Sequence, residues 1–175
     1  MIISLLQKVV IELDRYKIPY MLSGSVAMGL YTVPRMTLDI DIVVEINKTN
    51  IEEFKSIFSN GYYLDPDTVD EEVKRKGMFN VIDNKSGYKI DFILRKSNEY
   101  RLLEFERKTK VKLEGLDIWV VSQEDLIISK IEWIQQLQSQ KQIGDIKNLL
   151  DNTDIDKTYI KKWCKKLELK TYNLI

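Results

Sequence analysis

Residues 24–45 read GSVAMGLYTVPRMTLDIDIVVE, and the reading of LDIDIVV, residues 38–44, decides what kind of protein this is. The run is rich in Ile, Leu and Val, as a strand should be, yet it carries Asp39 and Asp41, and aspartate is among the residues least favoured in strands. On a strand, residues two apart share a face, so the two carboxylates project together with origins about 7 Å apart. Leu38, Ile40, Ile42 and Val44 fall on the opposite, core-facing side. The same alternation returns in YKIDFILR: Ile90, Phe92 and Leu94 share one face, and Asp91 stands with Lys89, Ile93 and Arg95 on the other. If the two strands are neighbours, three carboxylates converge.

Carboxylates that close repel, and without a cation at least one of them would hold a proton at neutral pH. A small set of hard oxygen ligands suits Mg²⁺ shared between protein and substrate phosphates. Two such ions bridged by carboxylates form the clamp used for in-line displacement at phosphorus. Upstream, Gly24-Ser25 lies between a short strand around 20–22 and a short helix closed by Pro34, an arrangement that offers backbone N–H groups and a hydroxyl to an anion. Gly24 and Gly29 have the spacing of a P-loop, but Leu30-Tyr31 stands where Lys-Ser/Thr is required, so a Walker-type site is rejected.

Around this core the chain of 175 residues divides in two. Ile2, Leu5, Leu6, Val9 and Leu13 predict an opening amphipathic helix ended with the help of Pro19, and Asn50 is placed to cap a helix through IEEFKSIF that stops at Asn60-Gly61. YYLDPDTVDEEVKRKG, polar and proline-containing, reads as a loop with at most a turn of helix. MFNVID and YKIDFILR joined by Asn84-Lys85-Ser86-Gly87 predict one hairpin. A short helical segment over 99–106 follows, and TKVKL and LDIWVV flanking Glu114-Gly115 predict a second hairpin. After Ser122 every period is helical: SQED is a capping-box pattern opening DLIISKIEWIQQLQ, and IGDIKNLL and TYIKKWCKKLEL follow. The expectation is an α/β (α+β) body over 1–121 and a helical C-terminal subdomain over 122–175 packed on it.

Composition narrows the chemistry. Lysine plus arginine and aspartate plus glutamate number 27 each, so nothing global announces a nucleic-acid or membrane-surface binder. The chain has no histidine and a single cysteine, Cys164, which excludes Ser-His-Asp triads, His-ligated zinc and an internal disulfide. The opening segment lacks the basic region and cleavage site of a signal peptide, and no run has the length of a membrane span, so the reading is soluble and cytoplasmic.

Taken together, Gly24-Ser25, then Arg35-x-Thr37-x-Asp39-Ile40-Asp41, then a strand carrying Asp91, resemble the DNA polymerase β-like nucleotidyltransferase superfamily. Within it the chain looks most like small bacterial proteins related to abortive-infection nucleotidyltransferase toxins, through Glu124-Asp125-Leu126-Ile127, Lys130 and Asp145. The resemblance spans roughly residues 18–150 and implies a small mixed sheet with flanking helices. It implies that Asp39 and Asp41 bind two Mg²⁺ ions, with Mn²⁺ a substitute, and that Asp91 completes the catalytic metal site. It also implies that Gly24 and Ser25 hold the phosphates of a nucleoside triphosphate such as ATP, beside Arg35 and Thr37. Lys130 falls on the apolar stripe of Leu126, Ile127, Ile131, Trp133, Ile134 and Leu137, where an ammonium must snorkel or find an anion, and the resemblance assigns it to the triphosphate. Asn148 stands where many relatives have a second acidic residue, and Asp145 is assigned no site role.

The expected activity is transfer of a nucleoside monophosphate to a hydroxyl acceptor: RNA such as tRNA, a protein, or a small hydroxylated molecule, in a toxin–antitoxin or phage-defence setting. The alternatives are a non-catalytic nucleotide-binding regulator or antitoxin, with a partner protein, and a two-metal nuclease. For the nuclease, Pro66-Asp67 and Asp83-x-Lys85 supply a matching pattern, but Asp83 and Lys85 read as a turn. The lysine-rich last helix, with Tyr159, Trp163 and Tyr172, offers a face for RNA.

Overall fold

The computed structural model describes residues 2–136 and 138–175. Leu137, predicted on the stripe with Lys130, lies outside the described residues. Seven strands form one mixed sheet in the order β3-β4-β5-β2-β1-β7-β6. In chain order the elements are α1 (Ile2–Arg15), β1 (Tyr20–Ser23), α2 (Gly24–Met28), β2 (Asp39–Val44), α3 (Ile51–Ile57), β3 (Tyr62–Tyr63), α4 (Pro66–Arg75) and β4 (Met78–Asp83). They continue with β5 (Lys89–Leu94), α5 (Glu99–Glu106), β6 (Thr109–Leu113), β7 (Leu116–Val120), α6 (Gln123–Trp133), α7 (Gln140–Leu150) and α8 (Lys157–Lys166).

The strand of the two aspartates is central. β2 pairs with β1 antiparallel and with β5 parallel, and the register sets Asp41 opposite Asp91 and Ile42 opposite Phe92. Ile40, Ile42, Val44, Ile90, Phe92 and Leu94 are fully buried on one face. There Phe92 meets Phe54 of α3 edge-on at a centroid distance of 4.9 Å and stacks with Phe79 of β4 at 5.7 Å. This packing pins the register, because a one-residue slip would drive the aspartates into the aromatic cluster and the isoleucines into water. Leu38 departs from the expected pattern: it precedes the strand and is 63% exposed.

Both hairpins form as expected, with Glu114 and Gly115 in left-handed conformations (φ 46° and 88°) at the tight β6–β7 turn. The segment read as a loop does not behave as one. It contains β3 and the ten-residue α4, with Asp65 at the N-cap position, Pro66 in the first turn, Asp67 against the N-terminus, and Lys74 and Arg75 in the last turn. Val69 and Glu72 of α4 are buried and Val73 packs against the core, a narrow apolar face in a highly charged helix that its end signals support. Three smaller differences concern ends. The chain leaves α1 through Lys17 (φ 55°) before reaching Pro19. Asn50 occupies the N-cap position of α3, but its side chain accepts from the Asn47 N–H instead. α6 is also shorter than predicted, and Trp133 at its end is 52% exposed rather than part of the core.

Candidate active site

The β1–α2 junction brings the chain against the acidic strand. Gly24 has φ +63°, and a Cβ there would lie 1.7 Å from Asp41 Oδ2. Glycine is required twice over: by the left-handed backbone and by the close approach of the turn to the carboxylate. The backbone of the next residue, Ser25, also faces Asp41 and partly offsets the rise of its carboxyl. Gly24→Ala is therefore expected to force the turn away from Asp41, lowering stability by about 1–3 kcal/mol and abolishing activity; a thermal melt read beside a transfer assay checks both.

Asp39 and Asp41 share the open face of β2 as expected, in unequal surroundings. Asp39 is half-exposed, whereas burial and the neighbouring Asp91 charge raise the Asp41 carboxyl above the ordinary aspartate range, with Asp39 adding to the effect. Lys89 was not among the predicted site residues, although its place two before Asp91 on an alternating strand could have found it. Its ammonium lies 2.7 Å from Asp91 Oδ2 and 3.7 Å from Asp39 Oδ1. Burial pulls the Lys89 ammonium down, but the hydrogen bond to Asp91 and the charges of Asp91, Asp39 and Asp41 outweigh it and hold it above its usual value. An internal cation thus stands among the carboxylates.

Lys130 does find an anion. Its ammonium, 11% exposed, lies 2.9 Å from Asp145 Oδ2. Arg35 grips the same carboxylate with Nε and Nη2, each at 3.0 Å, and donates from Nη2 to Ser25 Oγ at 2.5 Å. Asp145 thus links Lys130 of α6 to the glycine turn through Arg35. Burial would raise its carboxyl, but the bonds from Arg35 and Lys130 prevail and hold it below the usual range. The sequence left the role of Asp145 open; the structure places it between Lys130 and Arg35. Asn148, a turn away, is exposed, and Asp145 alone occupies the buried position.

α6 is oriented from its other end. Asp125, fully buried, accepts from Ser122 Oγ (2.6 Å), Arg107 Nε (2.9 Å) and the hydroxyls of Tyr159 (2.8 Å) and Tyr100 (3.2 Å). A carboxylate with that many donors fixes α6 against α5 and α8, which aims Lys130 at the site.

Gly24, Ser25, Arg35, Thr37, Asp39, Asp41 and Lys130 all line one cavity of about 290 Å³, together with Lys141 and Gln142 from the first turn of α7. Asp91 stands beside it, in register with Asp41. Thr37 serves the backbone: its Oγ1 accepts from the Asp39 N–H at 3.3 Å, which holds the start of β2. Gln142 Oε1 is buried with no donor among the described residues, an acceptor suited to a ligand hydroxyl or amine. The nuclease pattern does not assemble: Pro66 and Asp67 open α4, and Asp83 Oδ2 is engaged by the Ser86 N–H of the turn at 2.8 Å.

Among the described residues no three acidic, cysteine or histidine side chains are already gathered closely enough to enclose a metal ion. The donors nevertheless fit a divalent cation: carboxylate oxygens, one of them driven toward its neutral form by burial and by the Asp91 charge, with Lys89 already bridging Asp91 and Asp39. No helix is long and apolar enough to cross a membrane among the described residues.

A family profile described as "Nucleotidyltransferase of unknown function (DUF6036)" matches residues 1–169. Among solved structures the chain is similar to ANT(2'')-Ia in complex with adenylyl-2''-tobramycin, with a TM-score of 0.65 and 14% identity over 94% of this chain and 95% of that one. The solution structure of the antibiotic-resistance factor ANT(2'')-Ia gives 0.63 and 12%, over 94% and 90%. The lincosamide antibiotic adenylyltransferase LnuA, lincomycin-bound, gives 0.54 and 14%, over 83% and 94%. At such identities the likeness is one of fold. No curated protein matches the sequence.

Proposed function

The chain belongs to this nucleotidyltransferase family of otherwise undefined function and is an enzyme; from that premise we propose that it is of the polymerase β-like type, is Mg²⁺-dependent and uses the site around Asp39, Asp41 and Asp91. The observation that carries the proposal is the in-register Asp41–Asp91 pair packed under the Gly24-Ser25 turn. Asp39, Asp41 and Asp91 would hold two Mg²⁺ ions, with Mn²⁺ a substitute, which supply charge neutralisation at the phosphates and at the attacking and leaving oxygens. Lys89 then gives up its place between Asp39 and Asp91.

The residues of the chain divide the remaining work. Ser25 and the turn around Gly24 receive the triphosphate, and Arg35 and Lys130, preset by Asp145, neutralise the phosphates that leave. The acceptor oxygen bonds to the α-phosphorus as the bond to pyrophosphate breaks, and the hydroxyl proton passes to Asp91. In this reading residues 1–121 form the body that carries the carboxylates, and the helical part, 122–175, closes the phosphate side through Lys130 and Asp145.

The test incubates the protein with each labelled nucleoside triphosphate, Mg²⁺ or Mn²⁺, and fractions of a total cell extract. Label on an acceptor with pyrophosphate release supports transfer. Nucleic-acid fragments would indicate a nuclease, and binding without turnover a regulator. Failure with every nucleotide, with Asp39→Ala behaving as wild type, overturns the proposal. Lys130→Ala is expected to raise the KM for nucleotide by about 10-fold or more, the loss of one charge-assisted contact; unchanged nucleotide kinetics reject its role. If the acceptor is an essential RNA or protein, expression of the wild type but not of Asp39→Ala arrests growth, as for a toxin in a toxin–antitoxin or phage-defence pair.

A further inference from the structure

A second cavity, of about 280 Å³, abuts the first, and Ser23, Ile93, Ser129 and Trp133 line both. Its floor follows from the strand period. Two residues beyond the Asp41–Asp91 pair, about 7 Å along the same face, Val43 pairs with Ile93 and both line the second cavity. The carboxylates therefore stand at the junction of two compartments. One is equipped with Ser25, Arg35 and Lys130 for phosphates; in-line displacement brings the attacking oxygen from the side opposite the leaving group, which is the side of the other.

The second compartment has its own chemistry. Arg101 is taken up by Glu104 and Glu132, and Arg95 by Glu45. Lys76 and Lys96 also line the cavity, and neither forms an ion pair among the described residues. The lining holds four cations against two carboxylates, so its surplus is positive. At the junction Trp133, 52% exposed, presents an aromatic surface that the core does not use. An apolar floor, a half-open indole and two unpaired ammonium groups match a planar ring bearing phosphate.

Resting on the transferase reading above, we propose that this second cavity is the acceptor site and that it takes a phosphate-bearing, ring-containing hydroxyl compound. The ring lies against Trp133, and Lys76 and Lys96 hold the phosphate. The site disfavours polycations. Two sources share this chemistry, a free nucleotide-like molecule and the end of an RNA strand.

The experiment measures binding apart from turnover. With the first cavity filled by a non-hydrolysable triphosphate, a nucleoside 5′-monophosphate, a short oligoribonucleotide with a free 3′-hydroxyl, and tobramycin as the polycation are each titrated against tryptophan fluorescence. Trp133→Phe separates the Trp133 signal from Trp119 and Trp163. The expected result is saturable quenching by the monophosphate or the oligonucleotide, lost in Trp133→Phe. Affinity should fall at least 10-fold in the Lys76→Glu/Lys96→Glu variant, while triphosphate affinity moves less than twofold. Quenching by the monophosphate alone points to a small acceptor; much tighter, salt-sensitive binding of the oligonucleotide points to RNA. The proposal is overturned if tobramycin binds as tightly as the phosphate probes, if charge reversal leaves their affinity unchanged, or if neither binds. Intact probe binding in a protein that transfers no nucleotide would sink the transferase reading instead.

Discussion

Asp41→Ala is expected to reduce nucleotidyl transfer by on the order of 10³-fold or more, while Asp41→Asn, equally inactive, melts higher than the wild type. The two effects share one cause. Asp41 is buried beside Asp91 and Asp39, and the folded state therefore prefers its protonated form. Because its carboxyl is raised above the ordinary value of 3.8, the folded chain binds that proton more tightly than the unfolded one, and stability falls as pH rises through this range. An asparagine removes the repulsion while keeping the shape of the side chain. The gain should be about 1 kcal/mol, which for a chain of this size raises Tm by about 2–4 °C. It should vanish at acid pH, where wild-type Asp41 is itself protonated. Transfer kinetics and melting curves at pH 4 and pH 7 read both effects; a destabilised Asn variant at neutral pH would show that the carboxylates are not in conflict.

Asp145→Ala should act in the opposite sense. Asp145, 4% exposed, balances Arg35, 27% exposed, and Lys130, 11% exposed, and its loss leaves two cations without their shared partner. Breaking a fully buried pair costs about 3–5 kcal/mol; the partial exposure of Arg35 reduces this to roughly 2–3 kcal/mol, and Tm should drop by about 5–10 °C. The KM for nucleotide should rise as well, because Arg35 and Lys130 are no longer preset. The Asp145 carboxyl is held below its ordinary value of 3.8, so its contribution is complete above that value and is lost as pH falls through the depressed one. The stability gap between wild type and variant should be full at pH 7 and close on acidification, as for Asp41→Asn but with the opposite sign: here the variant is the less stable chain at neutral pH. A variant that kept wild-type stability and nucleotide KM would reduce Asp145 to a surface ornament of α7.

The acidic ledge was legible because a strand has a period of two and aspartate is costly there, so Asp39, Asp41 and Asp91 stood out before any contact was known. Gly24 was legible as a turn residue, but not as the residue whose missing Cβ admits Asp41. Lys130 was conspicuous for the opposite reason, a charge on an apolar stripe; that its partner is Asp145 depends on how α6 and α7 pack. α4 escaped notice because its apolar face is only Val69 and Val73 in an otherwise charged segment that opens with a proline. Lys89 was read as one more residue of an exposed strand face, although its own spacing placed it with the carboxylates.

The sequence by itself determined the elements whose signal is local: the alternating strands, the glycine turns, the capped helices, and through them the family and the carboxylates. Tertiary structure alone decided what depends on distance across the fold. It set Asp41 level with Asp91, placed Arg35 and Lys130 on one buried carboxylate, and opened a second basic compartment beyond Val43 and Ile93. The physical reason is range: backbone periodicity acts over a few residues, whereas a charge chooses its partner by proximity, and here Arg35 and Asp145 meet only when the sheet and the C-terminal helices have packed together.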